Sequence, residues 1–72
     1  MEITTTQTKS INPARLTEAR KEKGLSQSDV ARSLGFDRRQ VWQFENGGSL
    51  TLEHFTKLMQ FYGKPFEYFL QK

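Results

Sequence analysis

The 72-residue sequence contains no cysteine, one histidine, two prolines and no long apolar run. The lack of cysteine excludes disulfide bonds, thiolate metal ligands and a cysteine nucleophile. A single histidine, His54, cannot form a histidine cluster for a metal ion. Without about 20 consecutive apolar residues, no helix is expected to span a membrane. We therefore expect no metal site, no cofactor, no enzymatic activity and no contact with a membrane.

The charged residues are unevenly distributed along the chain. The chain has 11 Lys+Arg and 8 Asp+Glu, a formal net charge of +3. Residues 9–43 hold eight of the basic and four of the acidic residues, so their net charge is +4, whereas residues 44–72 hold three of each. This basic excess favours an anionic partner for the N-terminal part of the chain.

The chain is long enough for one domain. Residues 1–10 (MEITTTQTKS) contain little that a core could bury, and they lack the apolar segment of a secretory signal. We interpret residues 1–10 as a flexible N-terminal arm and residues 11–72 as a single folded domain.

Helix start and stop signals are dense from residue 11 onward. Polar N-cap candidates stand at four positions, each flanked by apolar residues that can pack across the cap: Asn12, Ser26, Asp37 and Thr51. Glycines suited to helix ends follow at Gly24, Gly35, Gly47 and Gly63. Together with Pro65, these signals predict helices at about 13–22, 27–34, 38–45, 52–62 and 65–71, and no strand. The expected fold class is all-α, a compact five-helix bundle.

The 3.6-residue period assigns apolar residues of every predicted helix to the core. The predicted core side chains are Leu16, Ala19, Val30, Ala31, Leu34, Val41, Phe44, Leu52, Phe55, either Leu58 or Met59, Tyr62, Phe66, Phe69 and Leu70, with Leu25, Phe36 and Leu50 in the turns.

Only three residues, Gly35-Phe36-Asp37, join the predicted helices 27–34 and 38–45. Two short helices with a tight glycine-containing turn are typical of the helix-turn-helix motif. The segments Gly24-Leu-Ser-Gln-Ser-Asp-Val-Ala-Arg-Ser-Leu-Gly35 and Val41-Trp-Gln-Phe-Glu-Asn-Gly47 resemble the Xre/Cro/CI family of bacterial and phage regulators, with a lambda-repressor-like DNA-binding domain. The resemblance covers about residues 11–70.

The resemblance implies that helix 38–45 enters the major groove of DNA. The family's base-contacting positions fall on Asp37, Arg38, Arg39 and Gln43. Because Arg pairs with guanine and Gln with adenine, we expect Arg38, Arg39 and Gln43 to contact bases, although one Arg could bind a phosphate instead. A carboxylate suits this surface poorly, so the first role expected for Asp37 is to cap the helix.

Five further positions have implied or open roles. Gln27, at the first position of helix 27–34, matches a phosphate-binding Gln of the family, and Asn46 matches either a phosphate ligand or the helix stop. Trp42 departs from the small residue common in the family. It could pack on the sugar-phosphate, contact a thymine methyl group, cover the base of helix 52–62 or bind a protein partner. Arg20 and Glu45 match a partly buried ion pair.

These implications predict a sequence-specific, double-stranded DNA-binding transcriptional regulator, expected to act as a repressor and as a homodimer on DNA. Its expected location is the cytoplasm, at the nucleoid of a bacterium or phage host. One alternative is an antitoxin-like module that binds a partner toxin, for which exposed Trp42 and Tyr68 would be suitable. Another alternative is the DNA-binding module of a longer chain.

Overall fold

The computed structural model describes residues 11–70, which form five α-helices and contain no strand. The helices are α1 (Pro13–Glu22), α2 (Gln27–Leu34), α3 (Arg38–Glu45), α4 (Leu52–Tyr62) and α5 (Phe66–Leu70). The predicted all-α, five-helix fold is thus confirmed. α5 begins one residue later than predicted, and the predicted arm at 1–10 lies outside the described residues.

Side-chain caps explain why the helices begin where they do. At α3, the side chain of Gln40, the third residue of the helix, accepts a hydrogen bond at 3.0 Å from the N–H of Asp37, the residue that precedes the helix. At the other predicted caps, the side chain itself accepts from a backbone N–H of the first turn, at 3.1, 3.0 and 3.2 Å for Asn12, Ser26 and Thr51. Each cap satisfies a donor that the helix cannot pair internally.

The start of α2 contains a hydrogen-bonded carboxylate with a lowered pKa. The Asp29 carboxylate accepts from the N–H of Ser26 at 2.9 Å and from Arg32 at 2.7 Å. These bonds lower the pKa of Asp29 from 3.8 to about 2, and the bond from the Ser26 backbone N–H has the largest effect. A carboxyl group with a lowered pKa stabilises the folded state above its unfolded pKa and loses this effect as the pH falls through its folded pKa.

We therefore expect the Asp29→Asn variant to flatten the fall in stability between about pH 4 and pH 2. Urea unfolding at a series of pH values measures this slope. Glu67→Gln is the matched control, because Glu67 is exposed and forms no ion pair within residues 11–70. If the free energy of unfolding of Asp29→Asn fell with pH as steeply as that of the unmodified protein, the Asp29 carboxylate would not be the group responsible.

The core lies where the first four helices and Phe69 of α5 meet. Most predicted core residues are buried, and Leu58 rather than Met59 occupies the alternative position, with Leu58 1% exposed. Three core predictions are wrong, since Leu52, Phe66 and Leu70 are 65%, 49% and 36% exposed. Leu52 is the first residue of α4, and the five-residue α5 turns only Phe69 fully inward.

In the turn between α2 and α3, one carbonyl group accepts two hydrogen bonds. The N–H groups of Gly35 and Phe36 both bond to the Ala31 carbonyl, and Gly35 adopts a φ of +76°, which favours glycine. The Phe36 ring then packs edge-on against Phe44, with 5.5 Å between ring centroids. This packing sets the direction in which α3 leaves the turn.

Candidate nucleic-acid interface

One face of α3 points away from the protein. Val41, Phe44 and Glu45 are buried, whereas Arg38 and Arg39 are exposed. Gln43 is also exposed, so the three predicted base-contacting side chains lie on the outward side of a single helix. Within residues 11–70, neither arginine forms an ion pair with an acidic side chain. Both guanidinium groups are therefore available to an anionic or polar partner.

A buried ion pair holds α3 against α1. Arg20 Nε lies 2.7 Å from Glu45 Oε2, and Arg20 Nη2 lies 3.1 Å from Glu45 Oε1, which is a two-point contact. The two side chains are 12% and 3% exposed. The third guanidinium nitrogen donates to the Leu25 carbonyl at 2.9 Å. The hydrogen bond to Glu45 is the main cause that raises the pKa of Arg20.

The same carboxylate also binds two neutral side chains. Thr17 Oγ1 and Gln27 Nε2 each donate to Glu45 Oε1, both at 3.1 Å. Glu45 therefore connects α1, α2 and α3 through one buried group. Sequence reasoning missed both donors, because they lie 28 and 18 positions away along the chain and no local pattern marks them.

Gln27 can therefore donate to two groups, to Glu45 and to an anion at the start of α2. Its amide NH₂ carries two N–H groups, and one of them is directed at Glu45. The side chain is half-buried at the first position of α2, where backbone N–H groups and the helix dipole favour an anion. The second N–H remains available to such a group.

The C-terminal end of α3 is closed by Asn46 and two glycines. Asn46 Nδ2 donates to the Trp42 carbonyl at 2.8 Å, which is the geometry of a helix stop. The N–H of Gly48 bonds to the Gln43 carbonyl at 2.6 Å. A Cβ at Gly48 would lie 2.9 Å from that carbonyl oxygen, so only glycine fits this close approach.

Trp42 is 52% exposed on α3. Within residues 11–70, its indole ring stacks on no aromatic ring and lies under no cation. About half of the Trp42 side chain therefore remains accessible to DNA or to a protein partner.

Tyr68 is not the exposed side chain that the sequence suggested. Its ring lies between Arg15 and Lys64, at 5.1 Å from the guanidinium carbon and 4.8 Å from the ammonium nitrogen, and its hydroxyl group is buried. Covered in this way, Tyr68 offers little surface to a protein partner.

Most basic residues outside α3 have acidic neighbours. Ion pairs join Arg15 to Glu18, Arg32 to Asp29 and Lys64 to Glu22, at 2.7, 2.7 and 2.6 Å. The unneutralised positive charge of the described residues before position 44 is thus concentrated at the start of α3 and at the end of α1, where Lys21 and Lys23 are exposed.

Residues 11–70 contain no group of three or more His, Asp or Glu side chains able to hold a metal ion. No helix within these residues is long and apolar enough to cross a bilayer.

The fold and the exposed α3 define a helix-turn-helix domain. A family model for helix-turn-helix proteins of the Xre/Cro/CI type matches residues 16–69. The chain therefore belongs to this family, which consists of DNA-binding regulators rather than enzymes. Comparisons with curated proteins and with solved structures gave no significant match.

Proposed function

We propose that this domain binds double-stranded DNA sequence-specifically, with α3 in the major groove. The observation that carries the proposal is the joint exposure of Arg38, Arg39 and Gln43 on a helix whose opposite side packs into the core and whose flank Glu45 ties to α1. A rigidly held helix with unpaired donors on its outer face suits the base edges of the groove. Each Arg would bind O6 and N7 of a guanine, and Gln43 would bind N6 and N7 of an adenine.

Phosphate contacts would fix the register of α3 on the duplex. Gln27 would donate its free N–H to a phosphate at the start of α2. Asn46 would donate the N–H of Nδ2 that does not bond to the Trp42 carbonyl. These contacts carry no base information, so they would strengthen binding to every sequence alike.

Binding of this kind would occlude a promoter without any further activity, so repression is the regulatory mode that we propose. Such a regulator would act in the cytoplasm of a bacterium, at the nucleoid.

Exposed apolar side chains on α5, Phe66 and Leu70, support a two-fold homodimer on DNA. The two α3 helices would then reach half-sites about 34 Å apart. Sedimentation with and without duplex tests this, and a monomer in both cases would refute the dimer.

In-vitro selection from random duplexes tests the main proposal. We expect enrichment of one short motif, repeated in inverted orientation if the protein binds as a dimer. A salt titration of the selected duplex should give a linear dependence of log affinity on log salt, whose slope counts the phosphate contacts. A pool without an enriched motif would refute sequence-specific recognition.

The Gln27→Ala variant should weaken binding to all duplexes by a similar factor, roughly three- to tenfold, because it removes one hydrogen bond to phosphate while Arg20 and Thr17 still hold Glu45. Titration of the selected duplex and of a scrambled duplex measures the two affinities. Ser28→Ala, at the exposed next position of α2, is the control. If Gln27→Ala changed the base preference and spared the scrambled duplex, the phosphate assignment would be wrong.

A further inference from the structure

Trp42 is the only tryptophan of the chain and lies half-exposed in the middle of α3. A large apolar side chain with half of its surface exposed is unusual on a helix whose other exposed side chains are polar. Its position relative to the base-contacting residues indicates what covers it.

Helix geometry places the indole among these residues. At 3.6 residues per turn, Trp42 is rotated about 40° from Arg38 and from Asn46, and about 60° from Arg39. Along the helix axis it lies only about 1.5 Å before Gln43. Trp42 therefore points within the arc spanned by the exposed polar side chains, so any duplex that reaches Arg39 and Gln43 also reaches the indole.

The chemistry of the major groove offers one apolar group. Three of the four bases present only donors and acceptors there, whereas thymine adds a C5 methyl group. An indole has a single N–H donor and a wide apolar surface. It therefore matches the thymine methyl group, whereas the guanidinium and amide groups of its neighbours match the polar edges.

We propose that Trp42 determines specificity by packing on the C5 methyl group of a thymine in the DNA site. This inference rests on the proposed function, because it assumes that α3 lies in the major groove. It adds a fourth specificity residue, and it assigns to it an apolar contact that the three polar side chains cannot make.

Uracil substitution tests the contact, because it removes only the methyl group from the DNA. Each thymine of the selected duplex is replaced in turn, in both half-sites if the motif is repeated. For the unmodified protein, we expect one replacement to lower affinity about three- to fivefold per half-site, the worth of one buried methyl group. For the Trp42→Ala variant, the same replacement should have no effect.

The indole also reports its own burial. Since Trp42 is the sole tryptophan, its fluorescence emission should shift to shorter wavelength when the selected duplex binds. Leu52→Ala serves as the matched control, since Leu52 is 65% exposed on a different helix. This variant should retain the affinity, the uracil effect and the emission shift. Leu52→Ala should melt like the unmodified protein, and Trp42→Ala should remain folded at the assay temperature, because Leu52 is mostly exposed and Trp42 is half-exposed.

Several results would overturn the inference. If uracil substitution lowered affinity equally in the unmodified protein and in Trp42→Ala, the thymine methyl group would not be in contact with the indole. A uniform loss of affinity in Trp42→Ala for all duplexes would place the indole on the sugar-phosphate. If Trp42→Ala bound the duplex with unchanged affinity, and the emission of the unmodified protein did not shift on binding, the indole would not contact DNA. A protein partner would then be the remaining role for Trp42. If no motif were selected at all, the proposed function itself would fail, and this inference with it.

Discussion

Replacing Arg20 with alanine should lower the free energy of unfolding by about 2–4 kcal/mol. The Glu45 side chain is 3% exposed, so it would remain in the interior without a charged partner. Thr17 and Gln27 would still donate to it, but both are neutral. For a domain of this size the loss corresponds to a fall in Tm of roughly 10–25 °C, measurable by circular dichroism.

Arg32→Ala is the matched control for this prediction. Arg32 also forms an ion pair at 2.7 Å, with Asp29, but its side chain is 71% exposed. Exposed pairs contribute about 0–1 kcal/mol, so Tm should change little. A double variant, Arg20→Met with Glu45→Leu, should recover much of the lost stability, because it removes both charges from the interior. An Arg20→Ala variant that melts like the unmodified protein would disprove the stabilising role of the pair.

The double variant Arg38→Ala with Arg39→Ala should bind the selected duplex at least about thirtyfold more weakly. Each bidentate contact to a base contributes about 1–3 kcal/mol of discrimination, and the variant removes two arginines. Its Tm should stay unchanged, because both side chains are exposed and neither forms an ion pair within residues 11–70. Fluorescence anisotropy of a labelled duplex measures the affinity.

Lys21→Ala with Lys23→Ala separates base contact from charge. Both lysines are exposed at the end of α1, and their removal lowers the net charge by the same two units. We expect this control to lose less than about tenfold, with a smaller salt slope and an unaltered base preference. If both double variants lost affinity equally, the arginines would act through charge alone, and the assignment of base contacts would not stand.

Local interactions allowed the helices to be predicted from the sequence. A cap such as Ser26 with Asp29, or a glycine such as Gly35 after a helix, acts over three to five residues, and the residues concerned stand together in the chain. The outward face of α3 is equally local, because 3.6 residues per turn place Arg39 opposite Val41 and Phe44. These signals were sufficient for the fold and for the face proposed to contact DNA.

The tertiary structure decided what lies between elements distant in sequence. It brought Thr17 and Gln27 to the carboxylate of Glu45, and it left Leu52 and Phe66 exposed although their spacing predicted burial. The helical period gives a direction for each side chain, but burial depends on whether another element lies in that direction. α5 has only five residues and buries only Phe69 fully, so Phe66, whose ring packs on Phe55 with 5.8 Å between centroids, stays half-exposed.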